Sequence, residues 1–145
     1  MDAASALADL SEISSQVEAA AVLSGDGTVV ASTLADAERS TRLARSAIDL
    51  LAVAEKRFES SGRTLTQLEA AVRQGSVFVA RDEGRSIVAT TSPEPTSGLV
   101  FYDLRTCLRS LAESTPDAAA ARPKRRKPKA QSSDDRSGAA GENGA

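Results

Sequence analysis

Between residues 64 and 91 the chain offers three short apolar runs separated by turns too short for anything but a reversal. Thr64 to Arg73 alternates, putting Thr66, Leu68, Ala70 and Val72 on one face. Gln74-Gly75 leads into Ser76–Arg81, with Val77, Phe78 and Val79, and Asp82-Glu83-Gly84 leads into Arg85–Thr91, with Ile87, Val88 and Ala89. Parallel strands need a crossover of about a dozen residues or more, so these three are expected to be antiparallel neighbours. The second and third runs, like Val17–Leu23 upstream, are apolar at successive positions. That pattern means that both faces of the sheet are covered.

The remaining elements supply the cover. Ala3 to Ser14 spaces Leu7, Leu10 and Ile13 at helical intervals. Val17–Leu23 and Thr28–Ala31, joined by Ser24-Gly25-Asp26-Gly27, read as a hairpin. A long helical stretch follows over 35–60, with Gly62 as its stop and Thr33 with Asp36 fitting a capping box. After Pro93 and Pro95, Gly98 to Leu111 makes a last helix, with Val100 or Phe101, Leu104, Cys107, Leu108 and Leu111 on one side. The order is α-β-β-α-β-β-β-α. The expected fold is α/β of the α+β kind: a five-stranded antiparallel sheet with the long middle helix on one face and both terminal helices on the other. Ala19, Ala20 and Ala21 suit a central strand that helices approach closely from both sides.

On a helical wheel of the middle helix, Leu43, Ala44, Ala47, Leu50, Leu51, Ala54 and Phe58 share an arc of roughly 120°. Ile48 and Val53 lie on opposite shoulders outside it, and Arg42, Arg45, Asp49 and Lys56 form the polar back. The shoulders allow two readings: a second contact beyond the helix's own sheet, or surface aliphatics of no special meaning.

From Ser114 onward there is no aliphatic residue larger than Ala and no aromatic. Such a composition cannot bury enough apolar surface to offset the entropy of ordering. Residues 1–113 are therefore expected to fold as one domain, and residues 114–145 to be a disordered basic tail. The tail carries seven basic and four acidic residues, or +3, so the body carries −5 of the net −2. The chain has no His and one Cys, which removes His-based relays, His-containing zinc sites, Cys-cluster zinc sites and internal disulfides. No spacing suggests a carboxylate metal site, and no cofactor or small-molecule substrate is expected. The N-terminus lacks a basic start and apolar core, and no apolar run approaches the ~20 residues of a membrane span, so the expected location is cytoplasmic.

Leu7-Ala8-Asp9-Leu10 followed by Val17-Glu18-Ala19-Ala20-Ala21-Val22-Leu23-Ser24-Gly25-Asp26-Gly27-Thr28-Val29-Val30-Ala31-Ser32 resembles the opening of Roadblock/dynein light-chain domains. The element order matches that family. Gly98-Leu99-Val100-Phe101-Tyr102-Asp103-Leu104-Arg105 resembles the closing helix of bacterial members associated with small Ras-like GTPases. The resemblance covers roughly residues 3–113. It implies homodimerisation, with two sheets joined edge to edge through the strand after the middle helix and the two middle helices side by side. By position, the implied interface includes Ala44, Ile48, Leu51, Ala52, Leu65, Gln67 and Glu69. It also implies a scaffold or regulator of a small Ras-like GTPase that docks on the dimer. It carries over no catalytic residue, so the expected activity is non-enzymatic.

The other motifs have plainer explanations. Ser24-Gly25-Asp26-Gly27 lacks the spacing of a phosphate loop and no Lys follows, so a hairpin turn is favoured. Loop carboxylates Asp26, Asp82 and Glu83 fit turn chemistry, and Cys107 among leucines fits a buried, inert thiol. Arg42, Arg45 and Lys56 are the partner-binding candidates; an arginine finger is conceivable, but a solvated face supported by Glu38 and Arg42 at i,i+4 is favoured. Arg122, Lys124, Arg125, Arg126, Lys127 and Lys129 put six positive charges within eight residues, with no interleaved aromatics. That block could hold nucleic acid or an anionic membrane surface, contact an acidic partner, or solubilise the chain and fold back on the acidic body. The alternative function is therefore a dimeric tether acting through this tail.

Overall fold

The computed structural model describes residues 1–114. The two tight turns do force antiparallel pairing. β3 (Gln67–Val72), β4 (Gly75–Asp82) and β5 (Arg85–Thr91) pair in simple register, from Gln67 opposite Ala80 and from Ser76 opposite Thr91. The Glu83-Gly84 turn has φ of 48° and 81°, positive at both central positions, which matches the right-handed twist of the strands it joins. β1 (Val17–Leu23) and β2 (Val29–Ser32) form the upstream hairpin. β1 then pairs with β5, so the sheet order is β2-β1-β5-β4-β3.

The chain thus crosses the whole sheet between β2 and β3, and α2 (Ala37–Phe58) makes that crossing. Its first turn is tied to the end of β2 by the buried Ser40 hydroxyl, 2.8 Å from Ser32 Oγ. Its last turns are tied to the opposite corner by Arg81 on β4, which pairs with Glu55 and donates twice to the Leu65 carbonyl (Nε 3.2 Å, Nη2 2.7 Å). The N-cap is Asp36, whose carboxylate accepts from Glu38 N (2.8 Å) and Arg39 N (3.3 Å). Thr33, expected in that role, instead accepts from Ala20 N at 2.9 Å and extends the β1–β2 ladder. A single 3-10 turn (Glu59–Ser61) and Gly62 at φ 73° end the helix. The residues before it, 63–66, carry no regular secondary structure, so β3 begins at Gln67 rather than Thr64.

Alternate residues of each strand face opposite layers. Ala20, Val22, Phe78, Ala80, Ile87 and Ala89 meet α1 (Ala3–Ile13) and α3 (Ser97–Ser114) through Leu7, Leu10, Val100, Leu104, Leu108 and Leu111. The Phe78 and Phe101 rings meet edge-to-face with centroids 5.0 Å apart, an arrangement contributing about 1 kcal/mol beyond burial. Ala21, Leu23, Val79 and Val88 meet Ala44, Ala47 and Leu51 of α2. The layers are those read from the pattern: the middle helix on one face, the terminal helices on the other. Several apolar positions fall outside, two of them most of all. Ile13, at the end of α1, is 69% exposed, and Val53 of α2 is also 69% exposed.

Candidate functional site

The two edges of the sheet differ in kind. β2 is four residues long, and its pairing with β1 shifts register between Val22 and Leu23. Short, bulged edges are how proteins prevent unwanted strand pairing. β3 is six residues long, pairs with β4 without any shift, and contains no Pro, Lys or Arg. Its outer edge has no strand neighbour among the described residues. Gln67 and Glu69 are held on the terminal-helix side, where Arg105 donates to Gln67 Oε1 (2.6 Å) and Ser97 donates to Glu69 Oε2 (2.8 Å). These contacts steady the strand while leaving its backbone edge open.

Because α2 crosses diagonally, its apolar surface exceeds what its own sheet covers. Leu43 and Leu50 are half-buried on one flank and Val53 is exposed beside them. On the sheet, Ala70 opposite Val77 and Leu68 opposite Val79 are partly covered, and Val72 is 57% exposed. The open β3 edge and this uncovered flank together form an unpartnered apolar feature on the α2 face.

The interface residues read from the sequence divide accordingly. Ala44 and Leu51 lie in the core beneath α2, each 4% exposed, because the helix turns them onto β1 and β5. Ile48 leans toward the β1–β2 turn, close enough that a Cβ on Gly27 would meet it at 3.1 Å. Ala52 and Leu65 line a cleft of about 580 Å³ with Arg81, Glu55 and the two turn tips. Gln67 and Glu69 lie on β3 itself. The wheel alone does not tell which flank of the helix its neighbours leave open. Arg81 is not among the sequence candidates; its one signal is a guanidinium closing an otherwise apolar strand.

Arg42, Arg45 and Lys56 lie on the solvent side of α2. Arg42 lies 3.8 Å from Glu38 with both side chains open to water, as an i,i+4 pair would be. The three spread along some 20 Å of helix rather than converging. Arg122, Lys124, Arg125, Arg126, Lys127 and Lys129, and the tail as a whole, lie outside the described residues.

The loop and thiol chemistry follows local causes. Asp26 accepts from Ser24 Oγ and from Thr28 N, and these bonds hold its carboxyl at about 2. Burial, with a smaller push from Asp9, raises the Cys107 thiol to about 11. Among the described residues no helix is long and apolar enough to cross a membrane, and no group of three His, Cys, Asp or Glu is placed to hold a metal.

Solved structures similar to this architecture include Roadblock/LC7 domains and MglB proteins. A Roadblock/LC7 domain from Streptomyces avermitilis superposes with a TM-score of 0.71 at 17% identity, over 78% of this chain and 97% of that one. An MglB in a tetrameric arrangement gives 0.67 at 15% identity, over 80% of this chain and 89% of that one. The gliding protein MglB from Thermus thermophilus gives 0.64 at 14% identity, over 77% and 86%. No protein-family model matches the sequence, and no curated protein matches it. The resemblance carried by the hairpin motif is thus matched by the whole fold, at low sequence identity.

Proposed function

We propose that this Roadblock/LC7-fold chain is a non-enzymatic homodimer that regulates or scaffolds a small Ras-like GTPase through its surfaces. The observation that carries the reading is the undefended β3 edge beside an incompletely covered α2. Two copies related by a two-fold axis would pair β3 with β3, continuing the sheet, and set the α2 flanks of Leu43, Leu50 and Val53 against each other. An isologous contact of this kind satisfies the open backbone groups and covers the apolar flank in one step. The MglB with a tetrameric arrangement supports self-association as a property of the fold.

The GTPase partner follows from the resemblance to bacterial Roadblock domains and the likeness to a gliding-protein MglB. With two α2 helices side by side, Arg42, Arg45 and Lys56 of both copies would border one basic platform facing away from the sheet. A Ras-like GTPase has phosphate and acidic switch surfaces to offer such a platform. The test is single-turnover GTP hydrolysis and nucleotide release by a small Ras-like GTPase, with and without this protein. A change in either rate, lost in an Arg42→Glu, Arg45→Glu, Lys56→Glu variant, supports the reading. No binding and no rate change reject GTPase regulation.

A further inference from the structure

On the face opposite α2, a cleft of about 290 Å³ runs between α1 and α3. Its floor is apolar: Ala6, Leu10 and Cys107 are buried. Ile13 and Tyr102 flank it, 69% and 58% exposed, and Met1 closes one side at 53%. The Thr106 hydroxyl in its wall is shielded from solvent and has no hydrogen-bond partner among the described residues. Its charged side chains are of one sign, and among its lining residues only the α-amino group of Met1 adds a positive charge. Asp9 and Asp103 line it, and no Lys or Arg precedes Arg39, so α1 brings only carboxylates. Neither α3 arginine lines the cleft, and Arg105 is engaged by Gln67 on β3. An acid-rimmed apolar groove fits a basic segment whose methylene stems can lie on the floor while the charged heads reach the rim.

The chain supplies such a segment. Residues 122–129 carry six positive charges in eight residues, and seven residues separate them from the last residue of α3. Seven residues reach up to ~25 Å, whereas the cleft from Tyr102 to Ser110 spans about 12 Å of helix. The segment therefore starts within reach of the groove, at the high effective concentration that a short tether gives. We propose that the α1–α3 cleft is the seat of the chain's own basic segment 122–129, with Asp9 and Asp103 facing its charges and an arginine over the Tyr102 ring. The α2–β3 surface plays no part in this contact, so it stands or falls separately from the dimer.

Tyr102 is the only tyrosine and there is no tryptophan, so intrinsic fluorescence of the full chain reports on this groove alone. The experiment is acrylamide quenching of Tyr102, a neutral probe. The protein should be protected at low salt. Protection should be lost in high salt, where screening shortens to a few Å. It should also be lost when the six basic residues of 122–129 become Gln, with the quenching constant rising by about twofold or more. Asp9→Lys with Asp103→Lys should lose it too, and combining that pair with Glu at the six tail positions should restore it. Restoration by double reversal is something a merely structural effect would not produce. An equal quenching constant in the unaltered chain at low and high salt, a measurement that needs no variant, overturns the proposal. Protection that grows with protein concentration also overturns it, by placing the segment on a second copy.

Discussion

Gly75 sits where the β3–β4 hairpin meets the end of β5. A Cβ there would lie 2.0 Å from the Thr91 carbonyl oxygen and 3.2 Å from its carbon. Both are backbone atoms of an interior strand, so no side chain can swing aside. Relief needs a separation of about 1 Å between the start of β4 and the end of β5. That breaks the Ser76–Thr91 and Val72–Gly75 ends of the ladder, worth about two hydrogen bonds at ~1 kcal/mol each. The φ of 157°, outside the ordinary range of an L-residue, adds about 1–3 kcal/mol. Gly75→Ala should therefore cost roughly 4 kcal/mol, and thermal unfolding followed by far-UV circular dichroism should show a fall of about 15 °C. Two controls fix the cause. Gly62 has φ 73° but nothing within 4 Å, so Gly62→Ala should cost only about 1 kcal/mol, from the backbone alone. Gly98, early in α3 and also in open space, should gain about 0.5 kcal/mol on becoming Ala. If Gly75→Ala cost no more than Gly62→Ala, the clash reasoning would be refuted. Because this hairpin sets the position of the β3 edge, Gly75→Ala should weaken self-association as well.

The Cys107 thiol should react slowly with disulfide reagents at neutral pH in the folded protein. Its pKa is raised from 9.0 to about 11, so its stabilising contribution is complete below pH 9 and is lost as pH rises toward 11. Stability from urea unfolding should fall across that window by about 2–3 kcal/mol more in the unaltered protein than in Cys107→Ala. Arg81→Met should cost about 1–2 kcal/mol, mostly through the Leu65 carbonyl left without its two N–H donors. The Arg81–Glu55 pair is 25% and 44% exposed, so a double-mutant cycle with Glu55→Gln should give a coupling below about 1 kcal/mol; a larger value would contradict the screening assumed. Asp26, held at about 2 by Ser24 and Thr28, stabilises its turn above the unfolded carboxylate range, and that contribution fades as pH falls through it toward 2. Carboxyl NMR titration should show the low value, and Thr28→Ala should raise it.

The element order is legible in the sequence because each device is local: two- and three-residue turns, a period change from two to 3.6, and an N-terminal Asp near the helix start. The layers are legible because successive apolar residues in β1, β4 and β5 demand cover on both faces. What stays hidden depends on geometry that no single segment encodes. The path of α2 decides that Ala44 and Leu51 go to the core while Leu43 and Leu50 are only half-buried and Val53 is exposed. Thr33 and Asp36 both suit a cap, and only the β1–β2 ladder, which claims Thr33, separates them. Ile13 continues the apolar spacing of α1 but falls past the edge of α3's cover, so periodicity places it inside and packing leaves it in the groove. Arg81 escapes a sequence reading for the same reason: its partners Glu55 and Leu65 come from elements far away in sequence.

The central claim is that this protein acts as a dimer built on β3 and the flank of α2. Light scattering of the full chain at micromolar concentration measures it directly. The account predicts a mass of twice 15.0 kDa. It predicts a fall to the single-chain mass when Val53 and Val72 both become Lys, with the circular dichroism of the fold retained, since both side chains are more than half exposed. A mass of 15.0 kDa for the unaltered protein would contradict it.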